Sequence, residues 1–175
     1  AGVASLKVEG RNKSEYYVAC ATRAYAQAIK DWQNDPHNWD AKIYSAELNK
    51  LENRGYTKGF FYGTPDNSAQ NYDSPRSDSE WRNIGVVRGI KNDAVVMEMR
   101  NTLDVGEEIE FLSPTQFTPI KIKMDKLLDA RNGLPIERAS AGHEKSILIP
   151  LSEFEKLGVN ASEVLPTLTI ARKLA

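Results

Sequence analysis

Apolar and polar residues alternate over Leu6-Lys7-Val8-Glu9, the period-two pattern of a short strand, and Gly10 closes it. The period then lengthens. Tyr17, Ala21, Ala24, Tyr25, Ala28 and Trp32 recur every three to four residues, which predicts a helix with one apolar face. Ser14 stands where an N-cap oxygen takes up an orphan amide, and Glu15 suits the positive end of the helix dipole. The Asn34-Asp35-Pro36 break stops the helix, whose end is placed near Trp32. A second helix is predicted from Ala41 to Asn53, with Asp40 as N-cap and Trp39 and Tyr44 at the two positions of a hydrophobic staple. Gly55 suits the left-handed position after it, with Tyr56 and Leu51 spaced for the apolar contact of a Schellman motif.

From Tyr56 to Asn83 periodicity disappears and Gly, Pro, Asn, Ser and Asp accumulate, so 56–83 reads as a linker or wrapping loop. Short strand-like runs follow at Ile84–Val87, Ala94–Met99, Glu108–Leu112, Phe117–Met124 and Ser146–Leu151. Asn132-Gly133 between them has the composition of a type I′ hairpin turn, and a last strand is expected within 160–175. The fold class is α+β: a strand and two helices over 1–55, then a small antiparallel β-barrel over 84–175, closed so that no edge is exposed. Leu6–Glu9 has no hairpin partner nearby, so strand plus first helix reads as half of a βα unit from a larger chain. The alternative is a strand that adds to the barrel or pairs with a second copy. The same orphan strand and apolar helix faces predict self-association or local disorder of residues 1–12.

The chain has 175 residues, 41% of them hydrophobic and 27% charged, with 23 Lys plus Arg against 24 Asp plus Glu. At a net charge of −1 any nucleic-acid contact must use a local patch. No apolar run reaches the roughly 18–20 residues of a membrane span, and the first residues lack the pattern of a signal peptide, so a cytoplasmic setting without membrane partners is expected. A single cysteine, Cys20, forms no internal disulfide and no Cys-based zinc or iron–sulfur site. It lies among small and apolar residues, as a buried thiol does. His37 and His143 stand in loop-like contexts with no third ligand, so no metal site is expected.

Ser5-Leu6-Lys7-Val8-Glu9-Gly10-Arg11-Asn12-Lys13-Ser14, with Tyr17 and Arg23-Ala24-Tyr25 after it, resembles a stretch of peptidase family U32, the collagenase-like peptidase family. Arg54-Gly55-Tyr56-Thr57-Lys58-Gly59-Phe60, then Gln70-Asn71-Tyr72, then Arg100-Asn101-Thr102-Leu103-Asp104-Val105-Gly106-Glu107 resemble further motifs of that family, in its order. Leu103 and Glu107 depart from its usual Phe and Asp. The resemblance implies the last βα unit of a β/α-barrel catalytic domain that otherwise lies outside this chain, followed by a barrel similar to the second domain of translation elongation factors. It is most similar to the branch implicated in tRNA uridine 5-hydroxylation, which implies an iron–sulfur cluster and prephenate for a parent protein and none held here. Other branches are described as collagen-degrading proteases or as rRNA hydroxylases.

Residue by residue, two readings stand. Lys7 and Glu9 share one strand face; with Arg11 they are candidate catalytic groups at a barrel strand's C-terminal end, or merely an ion pair fixing that end. Lys13, Tyr56, Lys58, Phe60 and Tyr72 combine cations with aromatic rings, the materials for holding phosphates and unpaired bases of tRNA or another RNA, or else for pinning the linker. Lys121 and Lys123 share a strand face that meets phosphates or simply faces water. No Ser/His/Asp or Cys/His constellation stands for the peptidase alternative, and a third reading is a non-catalytic protein-binding barrel.

Overall fold

The computed structural model describes residues 3–53, 56, 60–61, 63–64, 79–142 and 145–175. The first helix, α1 (Glu15–Asn34), starts where the sequence predicts, with the Tyr17 amide donating to Ser14 Oγ at 3.2 Å. A turn leads into it, the Lys13 amide donating to the Gly10 carbonyl at 3.0 Å. A Cβ at Gly10 would stand 2.6 Å from Val18 Cγ2, so a larger residue there requires the Val18 side chain to shift. Leu6–Glu9, in contrast, is not a strand. A strand needs a neighbour to take its ladder of hydrogen bonds, and among the described residues none runs beside it. Val8 alone of that stretch packs against the helices.

The buried face of α1 is Tyr16, Cys20, Ala21 and Ala24, while Tyr25 and Trp32 are exposed. The apolar stripe is wider than the sheet can cover, and the edge carrying small side chains is the one that approaches closely. The second helix, α2 (Ala41–Asn49), is capped by Asp40 and stapled as expected, with the Trp39 and Tyr44 rings stacked 5.7 Å apart. It ends at Asn49 and not Asn53, because Leu51 turns inward to full burial. The predicted Gly55 terminus lies outside the described residues.

Among the described residues ten strands follow: β1 (Trp81–Lys91), β2 (Ala94–Met99), β3 (Leu103–Asp104), β4 (Glu108–Leu112), β5 (Ile120–Lys123), β6 (Leu127–Asp129), β7 (Pro135–Ile136), β8 (Arg138–Ala139), β9 (Ser146–Pro150) and β10 (Ile170–Leu174). Two short helices, α3 (Leu151–Glu155) and α4 (Ala161–Val164), sit between β9 and β10. Eight strands form one antiparallel sheet in the order β5-β4-β10-β1-β2-β9-β6-β7, and β3 pairs with β8. Residues from both flanks of the sheet, such as Ile122 and Ile149, share one core with Phe111 and Phe154, so the sheet curls into a half-barrel.

Closure, however, is incomplete. Among the described residues β5 and β7 each pair with one neighbour only. Outward Lys121 and Lys123 on β5, and Pro135 on a two-residue β7, keep those edges from pairing further. The strand expected at Phe117 starts at Ile120, since Pro119 has no amide for a ladder. β1 starts at Trp81, inside the stretch expected as linker. The type I′ turn is also elsewhere: Asn92 (φ 50°) and Asp93 (φ 54°) join β1 to β2, whereas in Asn132-Gly133 only Gly133 has positive φ (72°).

Candidate functional site

The helices dock on the sheet through buried charge. Arg172 on β10 is wholly buried; its Nε and Nη2 donate to Glu110 Oε2 at 2.9 and 2.7 Å, and Nη2 also donates to Glu47 Oε2 of α2 at 2.8 Å. Lys50 Nζ donates to Glu47 Oε1 at 2.6 Å, and both Lys50 and Arg172 lie over the Trp81 ring, 4.6 and 4.7 Å from its centroid. Arg23 of α1 spends its guanidinium on the carbonyls of Ser113, Gln116 and Phe117. Burial works against the Arg172 charge, yet Glu47 and Glu110 outweigh it and raise its pKa. Burial likewise disfavours ionised Glu47, but Lys50 and Arg172 hold its carboxyl below the usual range. An apolar layer of Tyr16, Cys20, Ala21, Leu51, Val86, Leu112 and Ile170 surrounds these charges. Helices and half-barrel are thereby one packed unit.

That unit holds open a groove of about 610 Å³ between residues 6–13 and the two helices. Lys7, Glu9, Lys13 and Tyr56 line it, so four of the candidate residues meet there, joined by Tyr17 and Tyr25. Lys7 Nζ lies 3.6 Å from Glu9 Oε2, and Glu9 Oε1 accepts from the Arg11 amide at 3.0 Å. Lys13 Nζ stands 5.2 Å from the centre of the Tyr17 ring. The Tyr56 hydroxyl donates to the Leu48 carbonyl at 2.8 Å, and partial burial beside Tyr17 and Tyr25 raises its pKa. A floor of Ala21, Leu48 and Leu51 completes a site that offers rings, two lysines and two carboxylates, Glu9 and Glu52, together.

Other candidates fall elsewhere. Arg11 is exposed in the turn before α1 and is not among the groove's lining residues, and Phe60 is exposed away from it. Lys121 Nζ lies 3.6 Å from Glu110 Oε1, so it serves the buried charge cluster, and Lys123 is exposed on β5 opposite Glu108. Lys58 and Tyr72 lie outside the described residues. Tyr17 and Tyr25, which helical spacing assigns to the core, are groove walls. Periodicity does not single out Glu110 and Arg172: Glu110 stands alone between Ile109 and Phe111, but Arg172 is followed directly by Lys173, so the sequence carries no signal of a buried pair.

Cluster chemistry does not fit these residues. Cys20 is buried, and burial foremost pushes its thiol up to about 11, the opposite of what a thiolate ligand needs. Among the described residues no three His, Cys, Asp or Glu side chains converge to hold a metal ion. None of the described helices is long and apolar enough to cross a membrane.

Residues 1–71 match the model of peptidase family U32, and residues 79–160 match that of the peptidase family U32 C-terminal domain. A Bacillus subtilis protein named tRNA hydroxylation protein P1 is 34% identical over 116 residues, 65% of this chain and 28% of the relative. The Haemophilus influenzae tRNA hydroxylation protein P is 31% identical over 152 residues, 85% of this chain and 32% of the relative. The chain thus spans about a third of the length of these curated relatives or less. A crystal structure of the C-terminal domain of a Geobacillus thermoleovorans protein assigned to the U32 peptidases aligns with a TM-score of 0.40 at 18% identity, covering 53% of this chain and 99% of that one.

Proposed function

Because this chain belongs to peptidase family U32, we propose that it is the C-terminal part of a cytoplasmic protein that takes part in tRNA hydroxylation, and that its helix and half-barrel unit presents a groove to the RNA. One observation carries this reading: Lys7 and Lys13 converge with the Tyr17, Tyr25 and Tyr56 rings on one open groove. Unpaired bases are held by stacking on such rings, and the cations beside them meet phosphates. Glu9 holds Lys7 by an ion pair and the following turn by its bond to the Arg11 amide, so it keeps the groove's entrance in shape. The half-barrel, read as the counterpart of an elongation-factor second domain, contributes the rigid support. An iron–sulfur centre and prephenate belong, in this reading, to parts of such a protein beyond the residues described.

The test is equilibrium binding of unmodified tRNA by the chain across a salt series. Affinity should fall linearly on a log–log plot, and Lys13→Ala with Lys7→Ala should flatten the slope, by about 0.7–0.9 for each phosphate no longer neutralised. No tRNA affinity at low salt would overturn the proposal, and cleavage of gelatin by the same preparation would replace it with the peptidase reading.

A further inference from the structure

A hollow of about 440 Å³ lies between α1 and α2 and shares Tyr25 and Leu48 with the groove. Small residues, Ala24, Ala28, Ala41 and Ser45, form part of its lining, beside Ile29, Trp32 and Trp39, which are 42, 54 and 36% exposed. None of its lining residues carries a charge. Two of its rings also spend their polar atoms inside the chain, Trp39 Nε1 donating to the Ala28 carbonyl at 2.9 Å and the Tyr44 hydroxyl to Asp31 Oδ2 at 2.7 Å. The hollow therefore has no cation for a phosphate and few groups for a polar ligand; what it offers is apolar area. With Tyr25, 46% exposed, its large side chains leave on the order of 400 Å² of apolar surface to water, comparable with the largest patch a monomer keeps. Two such patches face to face would bury on the order of 800 Å² before any polar rim is added, close to the roughly 1,000 Å² at which a specific interface begins.

A two-fold interface sets one patch against itself, so that patch must carry both a hollow and the protrusion that fills it, and charges of both signs. This face carries them. Ile29 and Trp32, three apart on α1, form a ridge beside the small residues, and Asp40 and Lys42 flank Ala41 at the rim. Lys42 is exposed and among the described residues pairs with no carboxylate. A net charge of −1 gives two copies little reason to repel. Leu6–Glu9, the other place from which the sequence predicts association, is not a strand and offers a partner no ladder. We propose that α1 and α2 of one copy pack on α1 and α2 of a second copy across a two-fold axis, the Ile29 and Trp32 side chains of each entering the alanine-lined hollow of the other, which makes the protein a weak homodimer built on four packed helices. Lys7 and Lys13 are not among the hollow's lining residues, so the pairing leaves the cations of the groove free and stands independently of the RNA reading.

The experiment is sedimentation velocity of the full 175-residue chain over a wide concentration series, with acrylamide quenching of tryptophan emission on the same samples. The mass should rise saturably from one chain to two, and quenching should fall over the same range as Trp32 and Trp39 are covered. Ile29→Lys and Trp32→Glu change exposed positions, so each should keep the parent's circular dichroism and weaken association about tenfold or more. Ser45→Trp separates a fitted interface from a merely sticky face. An indole placed in the hollow should weaken a pairing that needs the hollow empty, whereas an unspecific apolar patch would gain from it. Tighter association of Ser45→Trp, or association unmoved by Ile29→Lys and Trp32→Glu, would overturn the proposal. A monomer at every concentration would overturn it as well, and would leave this face to a different protein or to a further domain of a longer polypeptide.

Discussion

Leu168 holds φ at 75°, in the turn where the Thr169 amide donates to the Pro166 carbonyl at 3.1 Å. Left-handed backbone crowds any L side chain against its own carbonyl at a cost of about 1–2 kcal/mol, and this side chain is 64% exposed, so packing returns little. Leu168→Gly should raise the urea midpoint without changing the slope, by about 0.5–1 kcal/mol after the entropic cost of glycine. A lower midpoint would mean that the side chain's packing outweighs the strain. Asp129 offers a second check at this scale. Hydrogen bonds from Arg131 pull its carboxyl down to about 2, so this group should stay ionised until the pH falls well below the ordinary aspartate range, as a carboxyl-carbon NMR titration reads directly. The sequence displays both residues but neither effect, because φ and partner geometry are set by the turn around them.

At the scale of elements, local signals and tertiary needs agree at helix starts and diverge at ends. Ser14 and Asp40 cap α1 and α2 as their neighbours in sequence imply, since a cap is chemistry among residues three apart. Ser14→Ala should cost about 1 kcal/mol in chemical denaturation, and Ser14→Asp should recover most of it. A change near zero would show that the Gly10 turn alone orients the helix entrance. The far end of α2 is decided by the burial of Leu51 against residues distant in the chain, which periodicity does not register. Leu6–Glu9 diverges for a related reason. Its alternation is a real strand pattern, yet the pattern specifies a strand only where a neighbour supplies the ladder.

For the whole molecule, the Arg172–Glu110–Glu47 cluster decides whether helices and half-barrel act as one body. Removing one member of a buried charged group leaves the others uncompensated, so Arg172→Met should destabilise by about 3–5 kcal/mol and expose the Trp81 ring to quencher. Replacement of Glu47 and Glu110 as well, by Gln and Leu, should restore part of that loss. The pH dependence has a defined sign. Glu47 is depressed in the folded state, so its contribution is present above the ordinary glutamate value and is lost as pH falls through the depressed one. Acidification should therefore loosen the helices from the sheet, read as a change in tryptophan emission before the sheet's far-ultraviolet signal is lost. Simultaneous loss of both signals would show that the sheet is no more acid-resistant than the docking.

Short-range information in the sequence determined where the helices begin, which runs become β2, β4 and β9, and that four spaced motifs share one family. Each depends on neighbours within a few residues or on a recurring pattern, and both are written in the chain. Tertiary structure decided which side of α1 is core, that the sheet stops at a half-barrel, and that Tyr17 and Tyr25 line a groove. It also decided that Arg172 and Glu110 are interior. On a sheet with one covered face their alternation reads as outward and solvated, and only the arrival of α2, bringing Glu47 from 125 positions away, converts that outward face into a second interior.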